Sequence, residues 1–156
     1  VAAVVARGAR YNPFNPLCGD RSGIWYVNNL DRRNPRRLDH GVYALANADL
    51  DAPWPKLIDG KRRFEQILRQ PDPTAEALFT LLGDCRAYPD HRLPDTGIPL
   101  RRERALSPIF IIDEDYGTRC STVFMTGHDG ASRFEERNHA GRFTGPGVVS
   151  EQFGGA

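Results

Sequence analysis

Few side chains in this 156-residue chain have the chemistry of nucleophiles, metal ligands or acid–base groups, and none stands in a familiar pattern. Cys18, Cys85 and Cys120 lie 67 and 35 residues apart, spacings that belong to no zinc or redox motif. Each reads as a small core residue before it reads as a nucleophile. His40, His91, His128 and His139 are scattered, with no His-Glu-x-x-His pattern or paired-ligand spacing, so no metal site is expected. His128 falls in a turn and reads as exposed. Glu135 and Glu136 are adjacent on a strand-like stretch, where successive side chains point to opposite faces. They read as rim carboxylates and not as a shared acid pair. The chain has no Gly-rich phosphate loop, no Walker-type lysine and no Gly-x-Ser-x-Gly elbow. Composition and spacing alone therefore name no activity and imply no cofactor.

Charge narrows the partners. Lys and Arg number 21 against 20 Asp and Glu, a net charge of +1, which argues against a strongly basic nucleic-acid surface. Lys56 and Lys61 are the two lysines, so 19 of the cations are arginines. Arginine suits planar pairing with carboxylates and phosphates, but a GC-rich genome gives the same bias. Arg32, Arg33, Arg36 and Arg37, then Arg101, Arg102 and Arg104, cluster among Pro, Asn and Asp and read as solvated loops ahead of anion sites. With 40% hydrophobic and 26% charged residues the composition is that of a globular chain. No apolar run reaches the roughly 18 residues of a membrane span. An odd number of thiols without a secretory segment points to reduced cysteines and a cytoplasmic setting.

The elements that must position these residues are grouped by type. Residues 1–7 read as the last turns of a helix stopped by Gly8. Residues 14–18 and 24–27 flank a Gly-containing turn at 19–23 and predict a hairpin, its first strand weakened by Pro13 and Pro16. Residues 28–40 read as a polar loop and 41–47 as a third strand. Pro55 suits a first helical turn, and Leu57, Ile58, Phe64, Ile67 and Leu68 then recur on one face up to Pro71. Asp72 and Pro73 suggest the cap and first turn of a second helix, with Leu78, Phe79, Leu81 and Leu82 on its apolar side and Gly83 at its end. Residues 84–107 read as a long loop. Residues 109–112 look like a strand buried on both faces. A strand over 118–126 follows, then a turn at 127–131 and a strand over 132–137. In the 118–126 strand neither face is plainly polar, which predicts a central strand between two layers. The Gly-rich stretch 141–156 reads as a loose tail. Grouped strands and helices predict an α+β fold with antiparallel sheet and a packed helical layer.

Several ordered stretches carry a resemblance. They are YNPFN at 11–15, Gly19-Asp20, Trp25-Tyr26, GVYALANADLDAPWPKLIDGK at 41–61, and YGTRCSTV at 116–123 preceded by Ser107-Pro108-Ile109-Phe110. Together, from about Tyr11 to Arg137, they resemble the NRDE family, also called the transport and Golgi organisation protein 2 family. The Asn-Arg-Asp-Glu motif that names the family does not occur here. The resemblance implies an Ntn-hydrolase-like αββα sandwich of antiparallel sheets, with residues 1–140 as a partial domain whose N-terminal part lies outside this chain. It also implies an N-terminal cysteine whose free amine serves as base while the thiol attacks an amide carbonyl. Val1 cannot fill that role, and Cys120 inside a strand is a poor substitute.

Within that frame Asn47, at the end of ALAN, is the first candidate to donate to the oxyanion, and cysteine amidases of the bile-salt hydrolase type look similar at this point, with an Asn after a strand. A turn-capping role for it carries equal weight. Arg119 is the second candidate. It would orient the nucleophile or hold a substrate carboxylate, or else pair with Asp113 or Glu135 inside the sheet. Trp54, Lys56, Thr118 and Ser121 are candidates to line the ligand site, although Trp54 also suits a core anchor and Thr118 and Ser121 suit a sheet. The expected activity is a cysteine amidohydrolase acting on an acyl amide. The alternative is a non-catalytic binding or trafficking protein for haem or an acyl or lipid ligand, its arginines reading acidic groups. Either way the partner is a small molecule, without nucleic acid, metal or cofactor.

Overall fold

Helix α1 (Ala2–Arg7) passes into a single 3₁₀ turn at Gly8–Arg10, so Gly8 continues the helical path in right-handed conformation instead of stopping it. This computed structural model describes residues 1–20, 22–30, 35–139 and 147–154. Arg32 and Arg33 of the first arginine cluster lie outside the described residues. The chain divides into two units, Val1–Pro53 and Trp54–Ala156.

In the first unit the expected hairpin forms. Strands β1 (Leu17–Asp20) and β2 (Gly23–Tyr26) pair antiparallel, Cys18 opposite Trp25. The Asp20 carboxylate accepts from Ser22 N at 2.8 Å and Ser22 Oγ at 2.6 Å, which holds the turn and keeps the Asp20 pKa below its usual value. Gly23 takes φ 149°, and a Cβ there would come within 3.0 Å of the Arg37 guanidinium. Backbone pairing continues beyond the strands, from Val27 N to Pro16 O and from Asn29 N to Phe14 O. A third strand, β3 (Arg36–Leu38), pairs antiparallel with β2 inside the stretch expected to be a loop. It contributes the sheet edge, where Arg36 and Arg37 extend over the rings of Tyr26 and Trp25.

Residues 41–47 are not a strand, despite their β-rich composition. Side chains take backbone groups in and just after this stretch. Ala44 N donates to Asp51 Oδ1, and the carbonyls of Ala46 and Ala48 accept from Asn15 Nδ2. These side chains compete with a ladder for the groups it would use.

The second unit carries helices and a second sheet. Helix α2 (Pro55–Leu68) starts at its proline as predicted. Helix α3 (Ala75–Leu82) is capped by Thr74, whose Oγ1 accepts Ala77 N at 3.2 Å, and not by Asp72. Helix α4 (Leu100–Leu106) occupies the expected long loop. It follows Pro99, and its buried Glu103 accepts Thr96 N at 2.9 Å and Thr96 Oγ1 at 2.5 Å. Residues 109–112 form no strand. Ile112 is 74% exposed and makes one isolated bridge to Gly117.

Strands β4 (Cys120–Thr126), β5 (Ser132–Asn138) and β6 (Gly147–Phe153) form an antiparallel meander with β5 in the middle. β4 is thus an edge strand of this sheet and not a central one. One face packs on α3, where Ala75, Phe79 and Val123 form a core joined by Leu78, Leu82 and Met125. The other face is open, with Phe124 62% exposed, so the expectation of two covering layers fails on that side. β6 falls within the predicted loose tail. Every residue of Ser132–Asn138 has a partner in it, from Phe153 back to Gly147. The remaining tail residues 141–146, 155 and 156 lie outside the described ones. The architecture is a mixed one with two antiparallel three-stranded sheets, consistent with α+β.

Candidate functional site

The first unit holds a cavity whose polar side is built from side-chain amides and one carboxylate. Its base is the 44–51 loop, closed by two bonds between Ala44 and Asp51: Ala44 N donates to Asp51 Oδ1 at 2.9 Å, and Asp51 N donates to Ala44 O at 2.8 Å. Asp51 has φ 58°, in the left-handed region that Asp tolerates better than most residues. Asn15 then latches the loop. Its Nδ2 donates to Ala46 O at 2.8 Å and to Ala48 O at 2.6 Å. One amide thereby spends both its hydrogens on the carbonyls either side of Asn47. Asn47 itself is exposed, and its side chain makes no hydrogen bond among the described residues.

Two residues further on, Asp49 is held from the hairpin. Tyr26 Oη donates to its Oδ1 at 3.0 Å and Asn28 Nδ2 donates to the same oxygen at 2.8 Å. Burial pushes the Tyr26 hydroxyl pKa up and the Asp49 carboxylate adds to the rise, against a lowering from Asn28, so the hydroxyl stays a donor at neutral pH. Asn28 Oδ1 accepts Leu30 N at 2.7 Å. Asn29 ties in the N-terminal segment, accepting Phe14 N at 2.8 Å and donating to Gly8 O at 3.0 Å. A Cβ on Gly8 would stand 3.0 Å from the Asn29 Cβ, a contact tight enough that Asn29 would have to shift by a few tenths of an ångström.

The resulting cavity has a volume of about 660 Å³. Asn15, Asn28, Asn47 and Asp49 line its polar side, and Pro13, Phe14, Leu30 and Ala48 its apolar side. That size and mixture suit a small molecule with one polar and one apolar end. A second cavity in the same unit, about 710 Å³, lies beside Arg37 and His40. Its arginine is committed to Ser22 O at 2.7 Å.

The other sequence candidates stand in the second unit. Trp54 and Lys56 are neighbours at the start of α2, with the Lys56 ammonium 5.9 Å from the Trp54 ring centroid. Lys56 Nζ donates to Leu106 O at 2.7 Å and to Pro108 O at 3.5 Å, so it secures the end of α4. Burial lowers its pKa, with Glu103 opposing. Thr118 makes a clamp with Ile111: Thr118 N donates to Ile111 O, and Thr118 Oγ1 accepts Ile111 N, both at 2.9 Å. Ser121 is buried and bonded to His139 Nε2 at 3.0 Å. Arg119 is exposed, its guanidinium 3.6 Å from Cys120 Sγ. It pairs with neither acid considered for it, because Asp113 pairs with Arg102, and Glu135 with Arg133 and Arg137. Among the described residues no cluster of His, Cys, Asp and Glu could hold a metal. No helix among them is long and apolar enough to cross a membrane.

The sequence matches the family described as Transport and Golgi organisation 2 over residues 1–141. The chain belongs to that family. A Transport and Golgi organization protein 2 homolog of Bos taurus is 35% identical over 151 residues, 88% of this chain and 55% of that protein. Homologs from Mus musculus and Homo sapiens are 30% and 31% identical over 148 residues, 86% of this chain and 54% of each relative. The chain spans about half the length of these relatives.

In this Transport and Golgi organisation 2 family chain, three of the stretches singled out in the sequence contribute to the cavity or to the bonds that shape it. YNPFN supplies Asn15, Trp25-Tyr26 supplies Tyr26, and ALANAD supplies Asn47 and Asp49. Sequence reasoning names Asn47 but gives no role to Asn15, Asn28 or Asp49. Their signal was the density of Asn and Asp around short β-rich runs, which spacing alone also explains as turn chemistry.

Proposed function

We propose that this chain supplies the oxyanion-stabilising wall of an Ntn-hydrolase-like cysteine amidohydrolase acting on an acyl amide. Residues 1–140 form part of one αββα domain in this reading, and the thiol nucleophile comes from an N-terminal cysteine outside the chain. The observation that carries it is Asn47. Its amide is open to a cavity of ligand size, while Asn15 fixes the carbonyls on both sides of it. Holding the backbone that carries a donor reduces the reorganisation needed when charge develops on a tetrahedral oxyanion. The proposal includes the reducing, cytoplasmic setting that free thiols suit.

The test is turnover of a medium-chain acyl amide by the protein carrying that cysteine, compared with its Asn47→Ala variant. Loss of one oxyanion donor lowers kcat about 10²- to 10³-fold with little change in KM. Equal kcat in the two proteins refutes the role of Asn47.

The apolar wall of Pro13, Phe14 and Leu30 favours a second reading, a non-catalytic carrier for haem or an acyl or lipid ligand. In the second unit, Arg119 is exposed and without a carboxylate partner among the described residues, so its charge is available to an acidic group.

A further inference from the structure

The hydrogen bonds around the cavity leave a definite set of groups for a ligand. Both donors to Asp49, from Tyr26 and Asn28, converge on Oδ1, and Oδ2 has no partner among the described residues. Asn15 has spent its hydrogens on the loop carbonyls, which leaves its Oδ1 as an acceptor. Asn28 is likewise committed at both ends, to Asp49 and to Leu30 N. Asn47 is the one lining amide with donor hydrogens to spare. Asp49 is also the one charged residue among those that line the cavity. Arg36 lies over the Tyr26 ring, 5.9 Å from its centroid, and is not part of the lining.

We propose that this cavity selects acyl amides whose amine half carries a second, cationic ammonium group, bound by Asp49, and discriminates against acyl amides that carry a carboxylate. The inference rests on the reading of Asn47 as the group facing the amide carbonyl, and it adds which amine lies beyond that carbonyl. An ammonium donates three hydrogens and accepts none, which complements Asp49 Oδ2 and Asn15 Oδ1. A carboxylate in the same place would face those two acceptors and a like charge, with no lining cation to offset the repulsion. The acyl chain would lie along Phe14, Pro13 and Leu30.

Calorimetric titration with N-octanoyl-1,4-diaminobutane and N-octanoylglycine tests this by binding alone, without turnover. The wild-type chain should bind the diamine amide at least tenfold more tightly at low salt, with the ratio shrinking at high salt as the charge is screened. In Asp49→Asn, which keeps an oxygen for Tyr26 and Asn28, the ratio should fall to within twofold. Circular dichroism and thermal unfolding show whether that variant folds. If it does not, adding excess butylammonium to the wild-type chain replaces it, and the diamine amide should be the ligand whose apparent affinity falls. Asn47→Ala should weaken both amides and keep their ratio. Equal affinities, a preference for the acylglycine, no binding of either, or an undiminished ratio in Asp49→Asn each overturn the inference. Failure of the hydrolase reading looks different: the binding preference stays and turnover is missing.

Discussion

Replacing Asn15 with Asp should harm the first unit more than removing its side chain altogether. The two residues have the same shape, but the atom facing Ala46 O and Ala48 O changes from a double donor to an oxygen. Asn15→Ala loses two hydrogen bonds at roughly 1 kcal/mol each, and water recovers part of this because the site is half-buried, so the cost is about 1–2 kcal/mol. Asn15→Asp suffers the same loss and adds repulsion between a carboxylate and two carbonyl oxygens within bonding distance. Its cost at pH 7 is about 2–4 kcal/mol. The sign of its pH dependence follows. The folded state disfavours the carboxylate, so the pKa of the introduced Asp is raised on folding. Its penalty is full well above that raised value and fades as pH falls toward the unfolded value of about 3.9, where a protonated carboxyl can donate once. Chemical denaturation of wild type, Asn15→Ala and Asn15→Asp between pH 3.5 and pH 7.5 measures all three. The expected order at pH 7 is wild type, then Ala, then Asp, with the gap between Asp and Ala closing at low pH. An Asp variant as stable as wild type at pH 7 would refute the latch.

Two further perturbations probe the second unit. Lys56→Met keeps the aliphatic stem but strips the ammonium from Leu106 O and Pro108 O. The lost charge-assisted bond outweighs the relief of ammonium desolvation by about 1–2 kcal/mol, read as a lower unfolding midpoint in urea. The bond from Arg86 holds the Asp84 carboxyl well below the usual carboxylate range against a rise from burial, and Arg63 of α2 adds to the lowering. Asp84→Asn should cost about 2 kcal/mol at neutral pH. Because the folded pKa is depressed, that contribution is complete above the unfolded pKa of about 3.9 and declines as pH falls below it. The stability difference between wild type and variant should therefore narrow from pH 5 to pH 2, as followed by thermal unfolding.

Where sequence and structure agree, one local signal was strong enough to decide the element. The spacing from Leu57 to Leu68 and the proline at Pro55 define α2, and the Gly-containing turn with its flanking β-rich runs defines the first hairpin. Where they part, a distant group intervenes. GVYALAN has the composition of a strand, but Asn15, about thirty residues away, takes the Ala46 carbonyl within it and the Ala48 carbonyl just beyond it. LRRERAL has little apolar periodicity, and its helix depends on Glu103 reaching back to Thr96. Val148, Val149 and Phe153 sit among glycines that mask their β character until β5 is there to pair with them. The site follows the same rule. Asn47 stands out through the stretch that contains it, whereas Asp49 gains meaning when Tyr26 and Asn28 are seen to hold it.

The 44–51 loop owes its shape to ties of two very different ranges. Ala44 and Asp51 are seven residues apart, and closure over such a distance takes on the order of 10–100 ns. The Asn15 latch spans 31 and 33 residues and requires the hairpin region to be in place. The local tie can thus close before the distant latch engages, and it is the latch that fixes the carbonyls on either side of Asn47. The backbone at Asn47 therefore depends on a residue far away in the sequence, whose loss would loosen it without opening the local closure between Ala44 and Asp51.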